Sequence, residues 1–98
     1  MTPLNKYQIS WSPQAYKDLK EIYNYISNTL KEKNIAKKIT SKLLKSILNL
    51  SYLPERYPKI SNFNDNSKNI RKMLVDNYII IYEIHNFTRK SIYIKYIS

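Results

Sequence analysis

The spacing of hydrophobic positions changes period along this chain, and the changes divide it into elements. Residues Tyr7 to Trp11 alternate, with Tyr7, Ile9 and Trp11 on one side and Gln8 and Ser10 on the other. Period two with aromatic and β-branched residues predicts a short, half-buried strand. At Ser12-Pro13 the pattern turns helical, with an N-cap followed by proline at the first helical position. Ala15, Leu19, Ile22 and Ile26 then form one face, flanked by Tyr16 and Tyr23, which predicts a helix from about Pro13 to Asn28. Lys31 to Lys33 is a polar connection, and Asn34 can cap a second helix. In that helix Ala36, Ile39, Leu43, Ile47 and Leu50 form the apolar stripe. It should end before Pro54, because the residue preceding a proline disfavours helix. A short link between two amphipathic helices predicts an antiparallel helix hairpin.

Pro54 to Lys68 reads as a loop, with two prolines and the polar run from Ser61 to Ser67. Period two then returns. Asn69 to Val75 is a strand, Asp76-Asn77 a two-residue hairpin turn, and Tyr78 to Ile84 a central strand, apolar at nearly every position. His85 to Lys90 reads as a looser turn and Ile92 to Ile97 as a last strand. The order is β-α-α-β-β-β. The predicted fold class is α+β, a helix hairpin packed on one face of a mainly antiparallel sheet. At 98 residues the chain fits a single domain spanning 1–98.

Composition narrows the chemistry. There is no glycine, so the Gly-rich phosphate loops of nucleotide-binding enzymes cannot form. There is no cysteine and one histidine, His85. Neither a disulfide framework nor a transition-metal site is expected. No apolar run approaches the length of a membrane span, and the start, Met1 to Lys6, lacks the apolar stretch of a signal peptide. The expectation is a cytoplasmic protein without cofactor. Seventeen Lys and Arg against seven Asp and Glu give a net charge of +10. Such a field attracts polyanions.

Three segments carry a family resemblance. Ser12-Pro13-Gln14-Ala15-Tyr16-Lys17-Asp18-Leu19, leading to Ile22-Tyr23-Asn24-Tyr25-Ile26, resembles the first helix of RelE/ParE-superfamily toxins. Leu50-Ser51-Tyr52-Leu53-Pro54-Glu55-Arg56-Tyr57-Pro58 resembles the family's "L-x-x-x-P-x-R-Y-P" segment. Ile70-Arg71-Lys72-Met73-Leu74-Val75-Asp76-Asn77-Tyr78-Ile79-Ile80-Ile81-Tyr82-Glu83-Ile84 is similar to its "I-R-K-x-x-V-x-N-Y-x-I-x-Y" hairpin. The resemblance implies the toxin of a bacterial type II toxin–antitoxin system, neutralised by a cognate antitoxin. RelE-like members cleave mRNA on the ribosome without a metal. ParE-like members inhibit DNA gyrase. Charge and aromatic content incline the expectation towards mRNA cleavage, with gyrase inhibition as the alternative and a non-toxic, basic RNA-binding module as a second alternative.

Metal-free RNA cleavage needs positioned cations for the phosphate charge and a side chain that exchanges a proton. Arg71 matches the family's arginine and is the leading catalytic candidate; its structural alternative is a strand arginine paired with Glu83. Lys72 should lie on the opposite face. Arg56 and Lys59 flank a proline-rich loop, where they suit phosphate contact or are solvated charges over a packed Tyr57. Tyr82 reads as core. Lys38, Lys42 and Lys45 share one side of the second helix, within a stretch from Lys31 to Lys45 that holds six lysines and the single acid Glu32. Such a run reads either as a solvated face or, because its sign is one-sided, as a phosphate-binding or antitoxin-binding surface. The resemblance also implies a short basic tail after the last strand, often carrying a reactive Tyr or His. Here the sequence reads Ile94-Lys95-Tyr96-Ile97-Ser98, so Lys95 and Tyr96 stand nearest that place. By strand alternation they should point to opposite faces.

Overall fold

The computed structural model describes residues 6–60, 68–86 and 89–98. Its order is β1 (Gln8–Trp11), α1 (Pro13–Asn24), a π-helical turn (Tyr25–Thr29), α2 (Lys33–Asn49), a 3₁₀ turn (Pro54–Arg56), β2 (Asn69–Val75), β3 (Tyr78–Asn86) and β4 (Lys90–Ile97). The four strands form one sheet in the order β1-β4-β3-β2. β2, β3 and β4 are antiparallel neighbours, and β1 adds to β4 in parallel. This is the expected α+β layout.

One layer of packing holds it together. Ala15 of α1 and Leu43, Ile47 and Leu50 at α2 meet Met73, Val75, Ile80, Tyr82, Ile84, Ile92, Ile94 and Ile97 of the sheet. Leu19, Ile22 and Ile39 of the predicted stripes pack partly buried against this core, while Ile26 and Ala36 are buried. The hydrophobic periodicity therefore reports the buried faces correctly.

Ser12 joins the two layers. Its hydroxyl accepts from the Ala15 amide at 2.9 Å, capping α1, and donates to the Lys95 carbonyl of β4. Its own amide donates to the Ile94 carbonyl at 2.9 Å. Ser12→Ala removes the cap and the bond to the Lys95 carbonyl, so we expect a loss of about 1–2 kcal/mol in urea unfolding. Ser12→Asp should retain the cap yet recover only part of that loss, since a carboxylate cannot donate to Lys95.

Several boundaries differ from expectation. The first helix leaves α geometry at Asn24 and finishes as a π turn. Lys31 then adopts φ 56°, and Glu32 stands at the N-cap position of α2 without a side-chain cap bond, so Asn34 lies inside the helix. The left-handed Lys31, not a capping side chain, reverses the chain. His85 belongs to β3 rather than to a turn, because its backbone pairs with Ser91. β4 accordingly starts at Lys90. The polar run 61–67, residues 87 and 88 of the second turn, and residues 1–5 lie outside the described residues.

Candidate functional site

The proline segment after α2 is built onto the β2 end of the sheet. Leu53 takes φ 70°, a left-handed conformation unusual for a bulky residue without a local hydrogen-bonding side chain. Two side chains of the sheet hold the turn that follows. The Tyr82 hydroxyl, buried on β3, donates to the Pro54 carbonyl at 2.6 Å. Arg71, opposite Tyr82 on β2, donates through Nη1 to the carbonyls of Glu55 at 2.9 Å and Tyr57 at 2.7 Å. Its Nε donates to Asn69 Oδ1 at 2.9 Å. The chain then extends the sheet: Ile60 N–H donates to Ile70 O, Lys72 N–H to Pro58 O, and Lys59 stands opposite Arg71.

Arg71 is thus a clamp on backbone carbonyls and not the partner of Glu83. A planar guanidinium with several fixed donors suits this task. Tyr82 is core, as expected, with its polar tip satisfied. Burial pushes its phenol well above the ordinary value of 10.0, and the nearby Arg71 charge offsets only part of that. The sign follows. The folded phenol holds its proton while an unfolded one ionises near 10.0, so the contribution is intact below that pH and declines as pH rises above it. Tyr82→Phe should flatten the decline in urea midpoints measured from about pH 8 to 11.

Arg56 and Lys59 lie beside this clamp, and Arg56 stands 5.6 Å from the Tyr57 ring centre. Tyr57 packs against the core beneath it. Next to them Tyr7, Tyr52, Leu53 and Pro54 line a mainly apolar groove of about 540 Å³, edged by Glu55, Arg56 and Lys90. Tyr7 is fixed there by its hydroxyl, which donates to Asn86 Oδ1 at 2.9 Å. Burial, with Glu55 adding to it, raises the Tyr7 phenol. Tyr7, Tyr52 and Leu53 were not site candidates in the sequence. Leu53 preceding a proline carries no signal that it is left-handed and 69 % exposed.

The sheet face away from the helices gathers a second group. Glu83 of β3 lies between Lys95, whose Nζ is 3.5 Å from one carboxylate oxygen, and His85, whose Nε2 is 3.6 Å from the other. Lys95 also stands 5.9 Å from the Tyr93 ring centre. The register between β3 and β4 shifts here, with Ile81 opposite Tyr96 and Tyr82 opposite Ile94. Lys95 is the extra residue of a β-bulge. Ile81 and Glu83 share a face, so Tyr96 and the Lys95 side chain lie on the same side of the sheet. This corrects the expectation from simple alternation. Lys72 belongs to this outer face and is exposed, while Arg71 points the other way. The three catalytic candidates are therefore split: Lys95 and Tyr96 are together, and Arg71 is on the opposite face.

The third group is on α2. Lys38, Lys42 and Lys45 share one face with Lys37, Ser41 and Ser46. Lys42 Nζ lies 2.7 Å from Asp76 Oδ1, linking the helix to the β2–β3 turn. Among the described residues no three His, Cys, Asp or Glu side chains gather as metal ligands. No helix there is long and apolar enough to cross a membrane.

Two comparisons agree on what this architecture is. The family model for the ParE toxin of type II toxin–antitoxin system, parDE, matches residues 9–94. The chain belongs to this family, within the RelE/ParE superfamily. Its structure is also similar to a solved one described as the chromosomal ParDE TA system from P. aeruginosa, with a TM-score of 0.76, 16 % identity and 96 % of each chain covered. That likeness is one of fold. No curated protein sequence matches the chain.

Proposed function

We propose that this toxin arrests growth by binding DNA gyrase rather than by cutting RNA, and that a cognate antitoxin neutralises it. The observation that carries this reading is the state of Arg71. The arginine that the family pattern offers for phosphate chemistry donates to Glu55, Tyr57 and Asn69 and holds a turn in place. Tyr82, beside it, is buried and keeps its proton at neutral pH. Neither side chain is arranged to attend a reacting phosphate. The preformed apolar groove at Tyr7, Tyr52, Leu53 and Pro54 suits contact with another protein.

The second reading, ribosome-dependent mRNA cleavage, is favoured by the outer-face group of Glu83, His85, Lys95 and Tyr96. There a cation, a carboxylate and two proton-exchanging side chains share one surface. One experiment separates the two. Purified toxin is added to a gyrase supercoiling reaction and, in parallel, to a purified translation reaction with mapped mRNA ends. Blocked supercoiling with intact mRNA is the expected result. Cut mRNA with gyrase unaffected would replace the first reading by the second. If neither occurs at stoichiometric toxin, both mechanisms fail for this chain.

A further inference from the structure

One face of α2 differs from every other exposed helical surface described here. Asn34, Lys37, Lys38, Ser41, Lys42, Lys45, Ser46 and Asn49 line a single shallow trough of about 490 Å³. Their spacing of three and four residues makes them one straight stripe, opposite the buried Ala36, Leu43 and Ile47. It runs for about 22 Å at the α-helical rise. Its lining is four ammonium groups and four neutral hydrogen-bonding side chains, with no carboxylate and no apolar residue. The exposed side of α1, by contrast, mixes signs, with Lys17 beside Glu21 and Gln14 bonded to Asp18. Like charges three or four residues apart cost a helix about 0.2–0.5 kcal/mol per pair. Lys38 with Lys42, and Lys42 with Lys45, are such pairs. Asp76 offsets the central one from outside the helix.

The composition of the stripe selects its ligand. Lys, Ser and Asn are donors that contact phosphate oxygens without reading sequence. A protein partner would be expected to find an apolar anchor at the centre of the patch, and lysine is depleted there in protein interfaces. Single-stranded nucleic acid would be expected to find aromatic rings for its bases. The trough supplies neither. A straight, rigid row of cations on an α-helix fits the backbone of a duplex, whose major groove admits a helix. We propose that the Asn34–Asn49 face of α2 is a sequence-independent binding site for the phosphate backbone of duplex DNA. This inference stands apart from the choice between gyrase and mRNA.

The test is fluorescence anisotropy with a labelled duplex of about 20 bp, of two unrelated sequences, from about 50 to 200 mM salt. Two variants, each losing four positive charges, are compared once circular dichroism shows both folded. One is Lys37→Gln, Lys38→Gln, Lys42→Gln, Lys45→Gln. The other is Lys6→Gln, Lys17→Gln, Lys20→Gln, Lys90→Gln. The first should flatten the dependence of log K on log salt by about 2.7, or about 0.9 for each of Lys37, Lys38 and Lys45, with Lys42 held by Asp76. The second should change the slope by much less, and both sequences should behave alike. Equal effects of the two variants would mean that only the overall charge matters, and the site would be withdrawn. If the single strand binds as tightly with the same lysine dependence, the duplex assignment is wrong. If polyglutamate competes at lower charge concentration than the duplex, the face is a surface for an acidic protein and the proposal is overturned. Should the first variant not fold, the single Lys37→Gln, Lys38→Gln and Lys45→Gln variants carry the same prediction, one slope increment each.

Discussion

Arg71→Ala should destabilise the protein by about 2–4 kcal/mol, and Arg71→Lys should recover little of it. The argument rests on geometry. Three hydrogen bonds radiate from one guanidinium to two carbonyls and a side-chain amide. Bonds from a charged donor are worth about 1.5–3 kcal/mol each when buried, and partial exposure of this one brings the sum down. Lysine keeps the charge but offers no planar fork, so it cannot reach both carbonyls in the same geometry. Urea unfolding measures the loss. Amide exchange locates it: Ile60, which donates to Ile70, and Lys72, which donates to Pro58, should exchange faster. An arginine serving as a reagent behaves differently, with normal stability in both variants and a defect confined to toxicity. That outcome would remove the main support for the gyrase reading.

Tyr82→Ala is expected to be more severe, at about 3–5 kcal/mol, because it empties a fully buried aromatic site at the centre of the sheet. Domains of this kind have about 5–15 kcal/mol in total. The variant should therefore melt on the order of 15 °C or more below the parent. Tyr82→Phe retains the packing and removes only the donor to Pro54, for a loss of about 1–2 kcal/mol. In a double-mutant cycle Tyr82→Phe and Arg71→Ala should be non-additive, since both act on the same turn. Additive losses would show that the two side chains hold independent parts of the structure.

The layout was legible because burial imposes a period. Ala15, Ile26, Ala36, Leu43 and Ile47 are where helical spacing puts them, and β3 is buried through Ile80, Ile81 and Tyr82 as a central strand should be. The features that organise the candidate sites were not legible, for identifiable reasons. The bulge at Lys95 depends on pairing between β3 and β4, and alternation along one strand cannot reveal a shift between two. Arg71 was readable as a strand cation, but its acceptors are carbonyls, which every residue has. Sequence therefore pointed to a carboxylate, Glu83, which is engaged on the far face by Lys95 and His85. Lys38, Lys42 and Lys45 were readable as one face because they lie within a single helix. Their structural context added Lys37 and the contact to Asp76.

The parallel pairing of β1 with β4 has a consequence for how the protein comes into being. Gln8 pairs with Ser91 and Trp11 with Ile94, and Ser12 caps α1 while bonding to Lys95. β1 has no partner in this sheet until β4, at the far end of the domain, has been made. Contacts this distant in sequence form late and slow folding. The nascent chain therefore cannot complete its sheet while β4 is still untranslated, and any activity of the folded toxin begins only after that.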